Sequence, residues 1–300
     1  MISIRFAMNW WKNLKGKVRR NELLKHHTTF KIGGPAKFFI EPKDADELRL
    51  LLNLLKRYKL STFVIGAGSN ILISDKGING AVLRLNSAYF KKINRKGNSL
   101  TVGSGTLLNQ ALSLCKRCGL SGLEFLVGIP GTVGGALVMN AGLPGKNIAD
   151  FIENVRVMDY NGNIKTLNKK NIKFGYRISN LSKYIILSAH LKLSKGTKEE
   201  INNRISGYLN YRRRTQDLSW PSAGCIFKNP PGYSAGQLID LCGLKGKKIS
   251  GARVSMRHAN FILNLKDAKA KDVLKLMGFI KKKVKNKFNI NLEPEIKIWQ

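Results

Sequence analysis

Leu48, Leu51, Leu52 and Leu55 stand at i, i+3, i+4 and i+7, so one face of a helix is built for burial. Asp44, with Glu47 three residues on, supplies its start signal. The same helical period returns at 106–118, at 234–242 and in a long C-terminal stretch where Val273, Met277, Ile280 and Val284 face inward. Asp267 is the expected start of that last helix. Thr197 and Glu200 form a capping pair ahead of Ile201, Ile205, Tyr208 and Leu209, in a helix ending at Tyr211-Arg212-Arg213-Arg214.

Between these helices the pattern shortens to strand-like runs. Residues 28–40 read as strand, Gly-Gly-Pro turn, strand, and 62–65, 81–85, 100–102, 155–159, 164–167, 185–193 and 260–263 read as further strands. Helices and strands alternate throughout, which predicts an α+β chain of more than one α/β domain. The texture divides it into a basic leader at 1–24, subdomains at 25–85 and 86–196, and a last domain at 197–300. A docked helix or a frayed end is expected of the leader.

Charge changes the picture less than its size suggests. The 300 residues carry 53 Lys and Arg against 18 Asp and Glu, a net charge of +35. The basic residues are spread along the chain, and no RNA-recognition, KH, zinc-finger or helix-turn-helix signature accompanies them, so a nucleic-acid partner is not expected. No run approaches the ~18 apolar residues of a membrane span, and the first twenty residues lack a secretory pattern, so stable membrane insertion is not expected and the cytoplasm is the expected compartment. Cys115, Cys118, Cys225 and Cys242 do not form a disulfide framework. Cys115 and Cys118 make a C-x-x-C without a second ligand pair, which predicts core packing, and no metal site is expected.

Glycine carries the candidate chemistry. Residues 122–142, GLEFLVGIPGTVGGALVMNAG, hold six glycines and only one formal charge, Glu124. Such backbone predicts close approach to an anionic or flat ligand through amide N–H groups. A second motif, Gly66-Ala67-Gly68-Ser69-Asn70, follows a strand. The dinucleotide fingerprint fails there, because Ile71 occupies the third glycine position, no helical pattern follows, and no acid stands about 20 residues on.

Five motifs in order resemble one family: Gly66–Asn70; Gly128-Ile129-Pro130-Gly131-Thr132-Val-Gly134-Gly135 with Met139-Asn140-Ala-Gly142; Gly175-Tyr176-Arg177; Ser222-Ala-Gly-Cys225-Ile-Phe-Lys228-Asn229-Pro; and Glu293-Pro-Glu295. Together they resemble the UDP-N-acetylenolpyruvoylglucosamine reductase (MurB) flavoenzymes, from about residue 22 to 298, in the shorter subclass without the tyrosine-bearing insertion. The resemblance implies an FAD-binding unit of the vanillyl-alcohol-oxidase (PCMH) type, with a C-terminal substrate domain. It also implies NADPH as co-substrate and UDP-N-acetylglucosamine enolpyruvate as substrate. FAD is then held by Gly66, Ala67, Gly68, Ser69 and Asn70 and by Gly128, Ile129, Pro130, Gly131, Thr132, Gly134 and Gly135. The substrate is held by Tyr176, Arg212, Lys228 and Asn229, and catalysis falls to Arg177, Cys225 and Glu295.

The chemistry asks for such groups. Hydride addition to an enolpyruvyl alkene pushes negative charge into the carboxylate, which a fixed cation such as Arg177 stabilises. The neighbouring carbon then needs a proton from a positioned acid. Members of the family usually place serine where Cys225 stands; a thiol, with an ordinary pKa near 8.5, remains a competent donor. Taken singly, Arg177, Cys225 and Glu295 would read as a surface ion-pair partner, a core thiol and an exposed strand residue. The competing functions are another FAD oxidoreductase of the same cofactor fold and a basic nucleic-acid or membrane-surface binder.

Overall fold

The computed structural model describes residues 10–300, and the chain falls into two compact units. Among the described residues, the first comprises 10–22, 36–66 and 79–208; the second comprises Leu23–Pro35, Ala67–Ile78 and Leu209–Gln300. Residues 1–9 of the expected leader lie outside the described part.

In the first unit, strands β1 (Lys17–Leu23), β2 (Pro35–Glu41), β3 (Ser61–Ile65) and β5 (Ile78–Arg84) form a sheet in the order β1-β2-β5-β3. Helix α1 (Ala45–Arg57) covers it with the expected stripe: Leu48, Leu51, Leu52 and Leu55 are buried with Phe38, Ile40, Ala81 and Leu83. Asp44 caps α1 by accepting the Glu47 N–H at 2.9 Å. Glu47 does not return the bond to Asp44; its carboxylate accepts the N–H groups of Lys43 (2.6 Å) and Gly16 (3.0 Å), tying the N-terminal segment to the helix.

One expectation fails here, and the leader, which docks a short 3₁₀ helix at Trp10–Asn13 as expected, also holds a strand. Residues 28–32 are not a strand: a 3₁₀ turn, Leu24–His27, precedes them, and β2 begins only at Pro35. The partner of β2 lies instead in the stretch read as a leader, where β1 pairs at the sheet edge and Trp10 is buried 5.2 Å from Phe38. Charged residues fill β1, KVRRNEL, because an edge strand buries little of itself, and that hides it from a search for apolar alternation.

A second sheet in this unit uses β6 (Ile93–Lys96), β7 (Ser99–Gly103), β8 (Ile152–Met158), β9 (Ile164–Asn168) and β10 (Ile185–Lys192), ordered β9-β8-β10-β7-β6. Helix α2 (Leu108–Arg117) and the short helix α3 (Val133–Val138) complete its core, where Cys115 is fully buried. Burial, foremost, and the charges of Glu124 and Cys118 push the Cys115 thiol up to about 12, so it stays protonated as a core residue.

Helix α4 (Lys198–Thr215) opens with the expected reciprocal cap: Thr197 Oγ1 accepts the Glu200 N–H at 3.2 Å and Glu200 accepts the Thr197 N–H at 3.0 Å. In the second unit β11 (Ser222–Cys225), β12 (Lys248–Ile249), β13 (Ala252–Val254) and β14 (Phe261–Asn264) make a sheet ordered β11-β14-β13-β12. Helices α5 (Ala235–Leu241) and α6 (Ala270–Phe288) cover it, and β15 (Lys297–Trp299) pairs in parallel with β4 (Ile71–Ile73). Helix α6 starts three residues after the expected Asp267. Its first amides, Ala270 and Lys271, donate to the Asp75 carboxylate at 2.8 and 3.2 Å, a cap supplied from a distant loop.

Candidate functional site

Strands β3 and β5 run parallel, so the chain between them must leave the sheet and return, and that excursion carries the Gly66–Asn70 motif. The glycine stretch 122–142 folds as a 3₁₀ turn (Glu124–Leu126), a loop and helix α3. Within the first unit the two motifs touch: a Cβ on Gly66 would lie 2.6 Å from Thr132 Oγ1, a space only glycine leaves open.

The glycine stretch differs from a cradle of unused amides. The N–H groups of Gly131, Val133 and Gly134 donate to the carbonyls of Ile129, Thr106 and Ser104, each at 2.9 Å, and Gly135 donates to Thr132 Oγ1 at 3.2 Å. Its amides therefore hold the stretch against the 103–107 loop, and what glycine contributes is close approach. Gly135 itself is exposed, and a Cβ added there would meet only Thr132 Oγ1 within 4 Å, at 3.4 Å. Beside it, the buried hydroxyls of Ser104 and Thr106 have no hydrogen-bond partner among the described residues. Glu124, only 1% exposed, anchors the start of the stretch by accepting Ser121 Oγ–H at 2.6 Å and the Gly122 N–H at 2.8 Å, with Arg204 3.9 Å away.

Tyr176 and Arg177 form the turn between Phe174–Gly175 and Ile178–Ser179. Arg177 sits at φ +57°, its Nη1 donates to the Gly142 carbonyl at 3.0 Å, and its guanidinium lies 5.3 Å from the Tyr176 ring centroid. Asn140, 6% exposed, pins the hairpin by donating to the Gly175 carbonyl at 3.1 Å while accepting the Ala149 N–H at 3.3 Å. It is a supporting residue that the sequence displays in a motif without revealing its task.

The other half of the candidates belongs to the second unit. The amides of Ala67, Gly68 and Ser69 have no protein acceptor among the described residues, in contrast to those of the glycine stretch. Gly68, at φ +66°, returns its carbonyl to the Thr29 N–H at 3.1 Å, and Thr29 Oγ1 donates to the Ser222 carbonyl at 2.7 Å, so this loop is tied to the strand that ends in Cys225. The same strand is gripped from two further sides. Ile226 N–H donates to the Asn260 carbonyl (2.8 Å), and the Asn260 side chain accepts the Phe227 N–H (2.9 Å) and donates to the Phe227 carbonyl (2.8 Å). Glu295 N–H donates to the Ile226 carbonyl at 2.8 Å, and Asn70 Nδ2 donates to the Glu295 carbonyl at 3.3 Å. Cys225, Glu295 and the Ala67–Asn70 loop are thus brought together by backbone and by two asparagines, one of which, the buried Asn260, no motif announces.

Lys228 and Asn229 have structural partners. Lys228 Nζ lies 3.1 Å from a Glu293 carboxylate oxygen, and Asn229 Oδ1 accepts the Ala235 N–H at 3.0 Å at the start of α5. Arg212 is carried by the last turn of α4. A cleft of about 470 Å³ in this unit is lined by Arg213, Asp217, Leu218, Ser219, Met256 and Arg257. Burial opposes ionisation of Asp217, but hydrogen bonds from Ser219 and Ser255 and the charge of Arg257 hold its carboxyl below the usual range.

Each unit taken by itself has features that fit FAD chemistry: in the first, a close-packed glycine face with buried hydroxyls that have no partner among the described residues, and in the second, a run of amides with no acceptor among the described residues. Among the described residues no group of three or more His, Cys, Asp or Glu is placed to hold a metal, and no helix is long and apolar enough to cross a membrane.

Known proteins resemble the chain along nearly its whole length. An FAD binding domain matches residues 36–168, and the C-terminal domain of UDP-N-acetylenolpyruvoylglucosamine reductase matches 216–299. A UDP-N-acetylenolpyruvoylglucosamine reductase of Caldanaerobacter subterraneus is 44% identical over 95% of this chain and 94% of its own. One of Bacillus subtilis is 42% identical over 94% of each. The crystal structure of the Thermus caldophilus enzyme superposes with a TM-score of 0.83 at 40% identity, covering 95% of this chain and all of that one.

Proposed function

Because this chain belongs to the UDP-N-acetylenolpyruvoylglucosamine reductase family, we propose that it reduces UDP-N-acetylglucosamine enolpyruvate to UDP-N-acetylmuramate, with FAD as cofactor and NADPH as co-substrate. FAD, when bound, would supply the hydride chemistry that links NADPH to the enolpyruvyl double bond. The amides of Ala67, Gly68 and Ser69, without an acceptor among the described residues, suit the cofactor's pyrophosphate, and Gly66, Asn70, Gly128, Ile129, Pro130, Gly131, Thr132, Gly134 and Gly135 are the further residues assigned to FAD.

Arg177 stabilises the charge that develops on the substrate carboxylate. Its guanidinium is fixed for this by the bond to the Gly142 carbonyl and by the Tyr176 ring, so little reorganisation accompanies the reaction. Cys225 holds, at Sγ, the proton that the substrate carbon receives, and Glu295 is assigned to the substrate carboxylate. Tyr176, Arg212, Lys228 and Asn229 hold the UDP-sugar, with the Arg212 fork suited to phosphate. For Lys228 this means giving up Glu293, an exposed pairing that holds it weakly. Residues 25–85 and 86–196 then serve the cofactor and 197–300 the substrate. The reaction belongs in the cytoplasm, a reducing compartment that keeps the four cysteines as thiols.

The observation that supports this division is the grip on 225–228, since a proton donor needs a backbone that cannot drift. The test is consumption of NADPH by the purified flavoprotein with and without UDP-N-acetylglucosamine enolpyruvate. One NADPH consumed per UDP-N-acetylmuramate formed is the expected result; consumption that ignores the enolpyruvate, with oxygen as the acceptor, would point to a different flavin oxidoreductase.

A further inference from the structure

The net charge of +35 is not explained by a site for one UDP-sugar, and on helix α6 it is concentrated. All seven lysines of this helix, Lys271, Lys275, Lys281, Lys282, Lys283, Lys285 and Lys287, are exposed. Its only acid, Asp272, is buried and accepts the Lys269 N–H at 3.0 Å. Lys271, Lys275, Gly278, Lys282 and Lys285 follow the 4-3-4-3 spacing of one helical face, a crest about 21 Å long made of lysine and one glycine.

Neighbouring elements of the same unit extend the patch. Lys247 Nζ lies 5.0 Å and Lys283 Nζ 5.7 Å from the centroid of the half-buried Phe279 ring. Lys287 lies 5.6 Å from the Phe288 centroid and donates to the carbonyl of Leu241, a leucine 62% exposed. Of the four exposed acids of this unit, Asp240 and Glu293 are paired, with Lys245 at 2.6 Å and Lys228 at 3.1 Å, Asp75 caps α6, and Asp267 lies just ahead of it. Lysines at i, i+4, as in Lys271/Lys275, Lys281/Lys285 and Lys283/Lys287, repel along an isolated helix, and an external anionic surface relieves that repulsion.

We propose that the exposed face of α6 docks the protein, peripherally and without insertion, on an anionic lipid bilayer. Charge complementarity selects the partner. The crest has no Arg, Asn, Gln or aromatic residue with which nucleic-acid readers hold phosphates in register or read base edges. A plane of mobile anionic headgroups asks only for lysine density, and Leu241 and the edges of Phe279 and Phe288 offer the apolar flank that meets a headgroup boundary.

The test is co-sedimentation of the full-length flavoprotein with phosphatidylcholine vesicles carrying about 30% phosphatidylglycerol, at about 0.05 and 0.3 M salt. Substituting Lys271, Lys275, Lys282 and Lys285 together with glutamine should lower partitioning about 600-fold, from about fivefold per lysine. Arginine at the same four positions should preserve it. Glutamine at four exposed lysines of the other unit, Lys96, Lys116, Lys170 and Lys198, removes the same charge and should change it less than about fivefold. If the crest variant loses its flavin or its helicity, the pairs Lys271→Gln/Lys275→Gln and Lys282→Gln/Lys285→Gln are compared instead, each expected to lose about 20-fold. Equal losses from both surfaces, no loss from the crest, or equally tight crest-dependent binding of duplex DNA at the same salt would each overturn the proposal.

Discussion

Glu295 and Ile226 are joined by a backbone hydrogen bond, Glu295 N–H to the Ile226 carbonyl at 2.8 Å, which registers the C-terminal acid against the residue that follows Cys225. On the opposite side of that segment stands Asn260, spending its carbonyl and both side-chain polar atoms on Ile226 and Phe227. A segment held this way has one conformation available, which a proton donor requires.

Asn260→Ala leaves the Phe227 N–H and carbonyl buried without partners, at about 1–3 kcal/mol each. We expect destabilisation of about 2–5 kcal/mol in denaturant unfolding. Of the activity that survives, the loss should fall on flavin reoxidation by substrate and not on flavin reduction by NADPH. Equal loss in both would make Asn260 a purely structural residue.

What the sequence makes legible is what short-range chemistry decides. The α1 stripe, the Asp44 half of the Asp44/Glu47 pair and the Thr197/Glu200 box are settled within one or two turns, and they stand as read. Asp75 capping α6, Asn260 gripping the Cys225 strand and β1 pairing with β2 depend on residues far apart or on an edge strand with no apolar pattern. The glycine stretch shows both sides: its composition marks backbone approach, yet nothing in it reveals that Gly131, Val133 and Gly134 spend their amides on Ile129, Thr106 and Ser104.

That difference sharpens a cofactor test. At Gly68 the chain is in the left-handed region and a Cβ would strike the His27 carbonyl, so substitution there damages the fold irrespective of any ligand. Gly135 is exposed and has room for a methyl group, and alanine suits a helix better than glycine by up to about 1 kcal/mol. Gly135→Ala should therefore unfold at the same temperature or slightly higher without cofactor, while FAD content on purification falls. Full FAD occupancy in this variant would move the cofactor away from the glycine stretch.

Arg212→Ala should raise the KM for the UDP-sugar by about 10- to 100-fold, as expected for loss of one charge-assisted phosphate contact. Rapid-mixing measurement of flavin reduction by NADPH should be unchanged. A matching defect in that first half-reaction would refute a role confined to substrate.

His258 gives a pH signature to stability. Burial, chiefly, and the charge of Lys245 lower its pKa from 6.5, against the opposing effect of a backbone hydrogen bond, and Nδ1 accepts the Asn260 N–H at 3.2 Å, which requires that nitrogen unprotonated. The unfolded chain then binds a proton first on acidification. Stability contributed by this histidine is complete above about pH 6.5 and declines below it, by no more than about 1.4 kcal/mol per pH unit. Unfolding curves between about pH 5 and 7 should be flatter for His258→Gln than for the unsubstituted protein, and parallel curves would exclude His258 as the source.

The most direct measurement is anaerobic single-turnover reoxidation of NADPH-reduced enzyme by UDP-N-acetylglucosamine enolpyruvate, comparing the protein with Cys225→Ala and Cys225→Ser. The thiol proton donor predicts that Cys225→Ala reoxidises about 10²- to 10⁴-fold more slowly while its flavin is reduced at the normal rate, with Cys225→Ser recovering much of the loss. Reoxidation of Cys225→Ala at the rate of the unsubstituted protein would contradict it and remove the thiol from the proton transfer.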